Sequence, residues 1–264
     1  MDGVGNLMIQ LSQRLQTVAQ YITKGHRVAD IGSDHAMLPV YLVQHHISSF
    51  AIAGEINEGP WQAASKQIES ANLSDVIVAR RGNGLEVIAP QEVDTITICG
   101  MGGALISSIL EQGYEQGKLE GVKELVLQPN VGEDAVRSWL LAHHWALQDE
   151  SIVEEDGKIY EVLYAKRIEA VKEWNEQLYS GDQLALPYAK PIREAIALRM
   201  GPYLLKKRDD ILRKKWLAEI EKLDYIIASL SQSELNSAKA KLASVKQDQQ
   251  LIKEVLEWLY TDKH

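Results

Sequence analysis

Three carboxylates and one glycine define the chemistry available to this chain. Val28-Ala29-Asp30-Ile31-Gly32-Ser33-Asp34-His35 runs from an apolar strand through an acidic turn toward a helix, and Ala53-Gly54-Glu55 ends a second apolar strand about two dozen residues later. A dinucleotide pyrophosphate is cradled by G-x-G-x-x-G, whose glycines let backbone amides approach it. Here only Gly32 occupies such a position. The pattern suits a ligand with a ribose, a positive centre and an ammonium group. Asp30 and Asp34 would attract such a cation, and Glu55 would accept hydrogens from both ribose hydroxyls. S-adenosylmethionine has these features, so methyl transfer is the expected chemistry. Asp34 is also a good helix N-cap, and Glu55 reads equally as a solvated strand end. His35, Ile56, the Asn83-Gly84 pair of Gly82-Asn83-Gly84, and Gly100, Met101 and Gly102 complete the expected cofactor contacts. Asn83 would pair with the adenine amino group, although a plain turn uses the same letters.

The acceptor chemistry is expected at two further strand ends. Ile98-Cys99-Gly100-Met101-Gly102-Gly103 follows the fourth strand. Many amino-methylating enzymes place Asn-Pro-Pro-aromatic there. Glycines and Met101 in its place predict a slot lined by backbone groups, or else a close helix–strand packing turn. Leu127-Gln128-Pro129-Asn130 ends the fifth strand, and Gln128 and Asn130 are bidentate groups able to read an adenine edge. Asn130 alternatively caps the next helix. Cys99 reads as buried strand filler, because no base flanks it to make a nucleophile. No histidine or cysteine has zinc-ligand spacing, so no metal is expected.

These residues need a scaffold of alternating elements. Apolar runs at about 27–31, 50–54, 76–80, 94–99 and 124–128 read as buried strands. Helical patterns lie between them at about 35–46, 58–72, 101–116 and 132–144. That alternation implies a parallel sheet covered on both faces. Segments 145–153 and 158–166 read as a hairpin through Asp156-Gly157. Before the first strand, Leu7, Leu11, Leu15, Val18 and Ile22 predict one helix over 6–22. The expected fold is α/β, a Rossmann-like class I methyltransferase fold with a seven-stranded, mostly parallel sheet and a C-terminal helical coiled-coil hairpin domain. The expected divisions are 1–166 for the methyltransferase domain, 167–202 for a helical connector and 203–264 for the antiparallel coiled coil.

The tail carries two apolar stripes. One is Leu212, Trp216, Ile220, Leu223, Ile227 and Leu230. The other is Leu235, Ala238, Leu242, Val245, Gln249, Ile252, Leu256 and Leu259, with only Gln249 polar. Ser231 and Glu234 have capping-box spacing between them. Lys206-Lys207-Arg208 and Arg213-Lys214-Lys215 recur at seven residues and are expected to share one helix face. Such a face is either a solvated surface or a site for nucleic-acid phosphates, whose affinity would fall with salt.

The net charge of −9 over 264 residues argues against nucleic-acid binding by overall field. It is uneven, with 16 Lys and Arg against 27 Asp and Glu through residue 202, and 12 against 10 beyond it. A single cysteine excludes an intrachain disulfide and fits a reducing compartment. No membrane span and no signal peptide are apparent, so a cytoplasmic location is expected. A dehydrogenase is disfavoured by the missing glycines. A non-catalytic nucleotide-binding scaffold, recruiting a protein or RNA through its coiled coil, is the alternative from a different class.

Arg14-Leu15, Ala29-Asp30-Ile31-Gly32-Ser33-Asp34-His35-Ala36, Ala53-Gly54-Glu55, Gly100-Met101-Gly102-Gly103 and Leu127-Gln128-Pro129-Asn130 occur in this order. Glu154-Glu155-Asp156-Gly157-Lys158 with Tyr160-Glu161, and Gly201-Pro202-Tyr203-Leu204, follow. In these motifs the chain resembles the bacterial TrmK family of tRNA (adenine(22)-N1)-methyltransferases over nearly its whole length. The resemblance implies S-adenosylmethionine-dependent methylation of an adenine N1 in the D-arm of tRNA, with S-adenosylhomocysteine as product. It departs from nucleoside methylases in general at Asn83, where an acid is often found. Adenine N1 attacks the methyl directly, so the expected work is alignment. Asp34 is the candidate stabiliser of the charge left on the base, with Gln128 and Asn130 as the other catalytic candidates. Arg14, Met101, Pro129, Tyr160, Lys206, Lys207, Arg213 and Lys214 are the further expected substrate contacts. The protein is expected to act as a monomer.

Overall fold

The computed structural model describes residues 8–232 and 236–261, the side chain of Asn236 excepted. Leu7, Glu234 and Leu235, which figured in the expected helix, capping box and seam, lie outside the described residues.

The chain forms two compact units, Met1–Glu176 and Gln177–His264. The expected three-part division differs from this, because the segment 177–202 clusters with the tail.

The first unit is a seven-stranded sheet in the order β3-β2-β1-β4-β5-β7-β6. The strands are β1 (Val28–Ile31), β2 (Ala51–Glu55), β3 (Ile77–Arg81), β4 (Thr95–Met101), β5 (Glu124–Pro129), β6 (Ala146–Glu155) and β7 (Lys158–Lys166). The first five pair in parallel, and β7 runs antiparallel to both β5 and β6. Strand order reverses between β1 and β4, and ligands of open α/β sheets bind at such a switch point, beyond the carboxyl ends of the strands. Asp30, Glu55, Met101 and Pro129 all lie at those ends.

The apolar runs form strands because both faces are covered. Val28, Ile52, Ile96, Ile98, Leu125 and Leu127 are wholly buried, and each contributes about 1.5–3 kcal/mol of transfer free energy. Helices α1 (Gln13–Tyr21), α2 (Met37–Gln44), α3 (Glu58–Ser70), α4 (Gly103–Glu115) and α5 (Glu133–Ala142) flank the sheet, and α6 (Val171–Tyr179) follows it. The first helix is shorter than expected. It starts at Gln13, because the Ser12 side chain accepts from the Leu15 amide and caps it. Leu11 is buried all the same, as part of the preceding extended segment.

The hairpin is tied to α5 by a charge cluster absent from the sequence reading. Arg137, Glu150 and Glu161 are all wholly buried. Arg137 Nε donates to Glu150 at 2.6 Å, and its NH2 group donates to Glu161. One cation thus faces two carboxylates on adjacent strands, and its removal would leave both without that partner.

In the second unit, α7 (Lys190–Met200) and α8 (Pro202–Lys207) precede the long helices α9 (Asp210–Ser231) and α10 (Asn236–Tyr260). Leu212, Trp216, Ile220 and Leu223 are buried, as are Ala238, Ile252, Leu256 and Leu259. The pair is antiparallel, since Tyr260 donates to the Asp209 carbonyl and Gln249 to the Ile220 carbonyl. Burial thins toward the connection, where Ile227, Leu230, Leu242 and Val245 are only half-buried. Gln249 is tolerated in the seam because its amide also donates to Asp224 at 2.7 Å. The two basic trios do not share one helix. Arg208 adopts a left-handed conformation (φ 54°) that ends α8, and Asp209 caps α9. A seven-residue repeat predicts a common face only where the helix is continuous.

Candidate active site

The carboxyl ends of β1, β2, β4 and β5 surround a cleft of about 570 Å³, within the range of small-molecule sites. It has two ends of different character.

The first end is acidic. Asp30 and Glu55 are buried, and both line the cleft with Asp34. Asp30 sits opposite Thr97 in the β1–β4 register, and the Thr97 hydroxyl donates to its Oδ1 at 2.6 Å. Burial raises the Asp30 carboxyl above its ordinary range, while the Thr97 hydroxyl and the Arg14 cation pull it down. Burial also raises Glu55, and the negative charges of Asp30 and Asp34 add to the shift. A concave site whose buried carboxylates repel one another is prepared for a cation. The turn after β1 fits it closely. Gly32 takes φ +72°, and a Cβ there would lie 2.2 Å from the Met101 methyl. The Gly32 and Ser33 amides both donate to the Gly54 carbonyl.

Asp34 is neither a helix cap nor a buried base. It opens a single 3-10 turn, Asp34–Ala36, whose side-chain cap is absent. Its side chain is 89% exposed, with His35 Nε2 at 3.5 Å. His35 and Ala36 both have positive φ, conformations that cost non-glycine residues about 1–3 kcal/mol each. The helix expected from residue 35 therefore begins at Met37. His35 does not line the cleft. Ile56, Asn83 and Gly84 do line it. Asn83 is exposed, and its amide N–H donates to Glu86 in the turn that follows.

The second end is built from amides around a glycine bulge, with the Arg14 cation beside them. The β4–β5 register skips Gly100, between Cys99↔Gln128 and Met101↔Pro129, so Gly100 is a bulge with φ +76°. Gln128 accepts from the Gly100 amide at 3.0 Å, and Asn130 Nδ2 donates to the Gly100 carbonyl at 2.8 Å. Gln128 also accepts from Arg14 NH1 at 2.5 Å and donates to the Pro129 carbonyl and to Asn130 Oδ1.

The expectation that Gln128 reads a base edge is corrected here. Its side chain is wholly buried, and its two acceptor and two donor positions are all used inside the protein. It braces the site rather than facing it. Pro129 and Gly102 are likewise absent from the lining; Gly102 is the N-cap residue of α4. Asn130 is exposed and lines the cleft. It is not the cap of α5, because Gly132 holds that position.

Arg14, Met101 and Tyr160 line the cleft as well. The Arg14 guanidinium lies 5.4 Å from the Tyr160 ring centroid, and its backbone and side chain contact Glu155 at the hairpin tip. Leu105 reaches the lining, and Val131 beside Gly102 is 68% exposed. Thr97, Leu105 and Val131 were not singled out from the sequence, whereas Glu155 belonged to the motif at 154–158. A strand threonine and two aliphatics carry no local signal: Thr97 meets Asp30 only through the β1–β4 register, Leu105 lines the cleft from α4, and Val131 follows β5. Cys99 is half-buried and lines the cleft, and its thiol is pushed far up by burial. Lys206, Lys207, Arg213 and Lys214 belong to the second unit. There Lys206 lies 3.4 Å from Gln183, and Arg213 lies against the Tyr260 ring.

Comparisons with known proteins point to one family. The family model for tRNA (adenine(22)-N(1))-methyltransferase, TrmK, matches residues 28–254. The tRNA (adenine(22)-N(1))-methyltransferase of Bacillus subtilis (strain 168) is 43% identical over 94% of this chain and 98% of its own length. The crystal structure of the B. subtilis M1A22 tRNA methyltransferase TrmK superposes with a TM-score of 0.82, at 43% identity over 94% of this chain and 99% of that one. Streptococcus pneumoniae Sp1610, in complex with S-adenosyl-L-methionine, superposes with a TM-score of 0.76 at 36% identity, covering 94% of this chain and all of that one. On the motifs, the sheet order and these likenesses together, the chain belongs to the TrmK family of tRNA (adenine(22)-N(1))-methyltransferases.

Proposed function

We propose that the cleft performs the S-adenosylmethionine-dependent methylation of adenine N1 in tRNA with its two ends in separate roles. The observation that carries this reading is the placement of Asp30 and Glu55, buried and crowded, at the ends of neighbouring strands facing one cavity. That donor set fits the cofactor. Glu55 takes the ribose hydroxyls. Asp30 and Gly32 hold the amino-acid portion, and Asn83 and Gly84 lie beside the adenine. Ile56 contributes apolar surface. When bound, S-adenosylmethionine supplies an electrophilic methyl group.

The chain's own residues then align the nucleophile. Adenine N1 carries a lone pair and needs no base to attack. Bringing it into line with the methyl is worth up to about 7–11 kcal/mol. Met101, Leu105 and Val131 offer apolar surface to a base that has left its stack, and unstacking costs a few kcal/mol. Asn130 contacts the base, and Gln128 acts through Asn130 and Gly100. Asp34, exposed at the mouth, adds negative charge near a base that becomes cationic. Arg14 and Tyr160 border the acceptor opening. In the second unit, Lys206, Lys207, Arg213 and Lys214 contact tRNA phosphates.

The reading needs no metal ion and places the enzyme in the cytoplasm as a monomer. No helix among the described residues is long and apolar enough to cross a membrane. The test is incubation of the full chain with unmodified tRNA and methyl-labelled cofactor, followed by nucleoside mapping. Label at N1 of the D-arm adenine is expected. Cofactor binding without transfer to any tRNA would favour the scaffold alternative instead.

A further inference from the structure

We propose that Gln128 and Asn130 form an orientation lock that makes the acceptor end selective for a 6-amino purine. The lock rests on the reading of this cleft as the adenine-methylating site. Gly100 sets its polarity, because a backbone N–H can only donate and a carbonyl can only accept. The Gln128 atom facing the Gly100 amide is therefore the oxygen, and Arg14, also a donor, meets the same atom. The other end of Gln128 is then its NH2 group, which donates to Pro129 O at 2.9 Å and to Asn130 at 3.2 Å. The Asn130 atom receiving that bond is its oxygen. Its nitrogen independently faces the Gly100 carbonyl at 2.8 Å. Two fixed backbone groups thus define both carboxamides.

Among the described residues Asn130 keeps one unused lone pair on Oδ1 and one unused N–H, and it lines the cleft. N1 of the target must keep its own lone pair free to react, so a donor placed on N1 would block the reaction. The productive contact is the Asn130 oxygen accepting from the 6-amino group. As N1 gains the methyl, positive charge spreads to that amino group and the hydrogen bond strengthens. The contact then favours the transition state over the ground state. A 6-oxo purine would set oxygen against oxygen. Gln128 is a positioning residue in this arrangement, since it touches Asn130 and never the base.

The experiment uses the full chain and tRNA carrying either adenine or unsubstituted purine at the target position. The second base lacks the amino group and keeps N1. Its lower intrinsic reactivity is common to every variant and cancels in a double-mutant comparison. Wild-type enzyme is expected to prefer adenine by a factor about tenfold greater than Asn130→Ala does. Gln128→Glu keeps an acceptor for Gly100 and Arg14 but loses the donor to Asn130. It is expected to lower kcat and shrink the preference, with KM for S-adenosylmethionine unchanged. Gln128→Met serves the same purpose if the glutamate variant fails to fold. Equal preference in wild type and Asn130→Ala would overturn the contact. Preference kept in the Gln128 variants but lost in Asn130→Ala would overturn the lock. Methylation of the adenine tRNA by wild type is the control, and its failure would count against the reading of the cleft itself.

Discussion

The two ends of the cleft meet opposite electrostatic demands with different residue classes. The end proposed for the cofactor is charged, with Asp30 and Glu55 buried and Asp34 exposed beside them. The end proposed for the acceptor presents amides, with Gln128 and Asn130 bonded to a glycine bulge and Arg14 paired to Gln128 and Glu155 behind them. A donor that arrives as a cation is well served by anions fixed in advance. An acceptor that arrives neutral and leaves charged is better served by dipoles. A full negative charge in hydrogen-bond contact would strengthen ground-state binding as well, and only the difference between ground and transition states accelerates the step.

Substitutions at the two ends should therefore separate binding from turnover. Glu55→Ala removes the carboxylate proposed to accept from the ribose and should weaken cofactor affinity about 100-fold, as isothermal titration would show. Asn130→Ala should lower kcat about tenfold and leave cofactor affinity within about twofold, in single-turnover kinetics and the same titration. Comparable losses of cofactor affinity in both variants would end the division of roles.

The pH response sharpens the contrast further. Asp30 and Glu55 titrate above their ordinary range, by burial first. A cationic cofactor binds the ionised forms, so its affinity should fall as pH drops through the raised values. The free protein behaves oppositely. Between the ordinary carboxylate value of about 4 and the raised ones, the folded state holds protons that the unfolded chain has released, so stability falls as pH rises across that window. Melting scans with and without cofactor should show a ligand-induced shift that grows with pH, and Asp30→Asn should flatten it. Thr97→Val keeps shape but removes the hydroxyl that donates to Asp30. It should raise the Asp30 carboxyl further and weaken cofactor binding about fivefold near neutral pH. Single charge removals at Lys206 or Lys214 should have the smallest effect, about twofold in tRNA affinity. They should reduce its salt dependence and leave cofactor affinity unchanged.

Much of the cofactor end was legible because its signals are local. An apolar run, one glycine and an acid at a strand end require no knowledge of distant residues, and Asp30, Gly32 and Glu55 all reach the cleft. Asp34 was legible as a position but not as a conformation. Two consecutive left-handed residues, His35 and Ala36, carry no glycine or asparagine to announce them. The acceptor end was harder to read because its geometry is set by register. Nothing in Ile98–Gly103 reveals that β4 skips a residue against β5, and that bulge is what lets Gln128 and Asn130 grip Gly100 from both sides. Gln128 was recognised as important and given the wrong partner. An amide at a strand end can face the ligand or the neighbouring strand, and the choice depends on Arg14, more than a hundred residues away. The Arg137–Glu150–Glu161 cluster was hidden for a related reason, since charges in an amphipathic pattern read as solvated until a buried partner is seen. In the second unit the heptad stripe identified both long helices, whereas the break at Arg208 lacks the glycine or proline that marks most helix ends.

The central claim is that the buried carboxylates hold the donor while the Asn130 carboxamide holds the base. A crystal structure with S-adenosylhomocysteine and a D-arm RNA hairpin tests it most directly. The account predicts both ribose hydroxyls on the Glu55 carboxylate and the 6-amino group of the target adenine on Asn130 Oδ1, each at about 2.7–3.2 Å. A ribose held elsewhere, or a target base whose amino group faces Asp34 and leaves Asn130 without a contact, would contradict it.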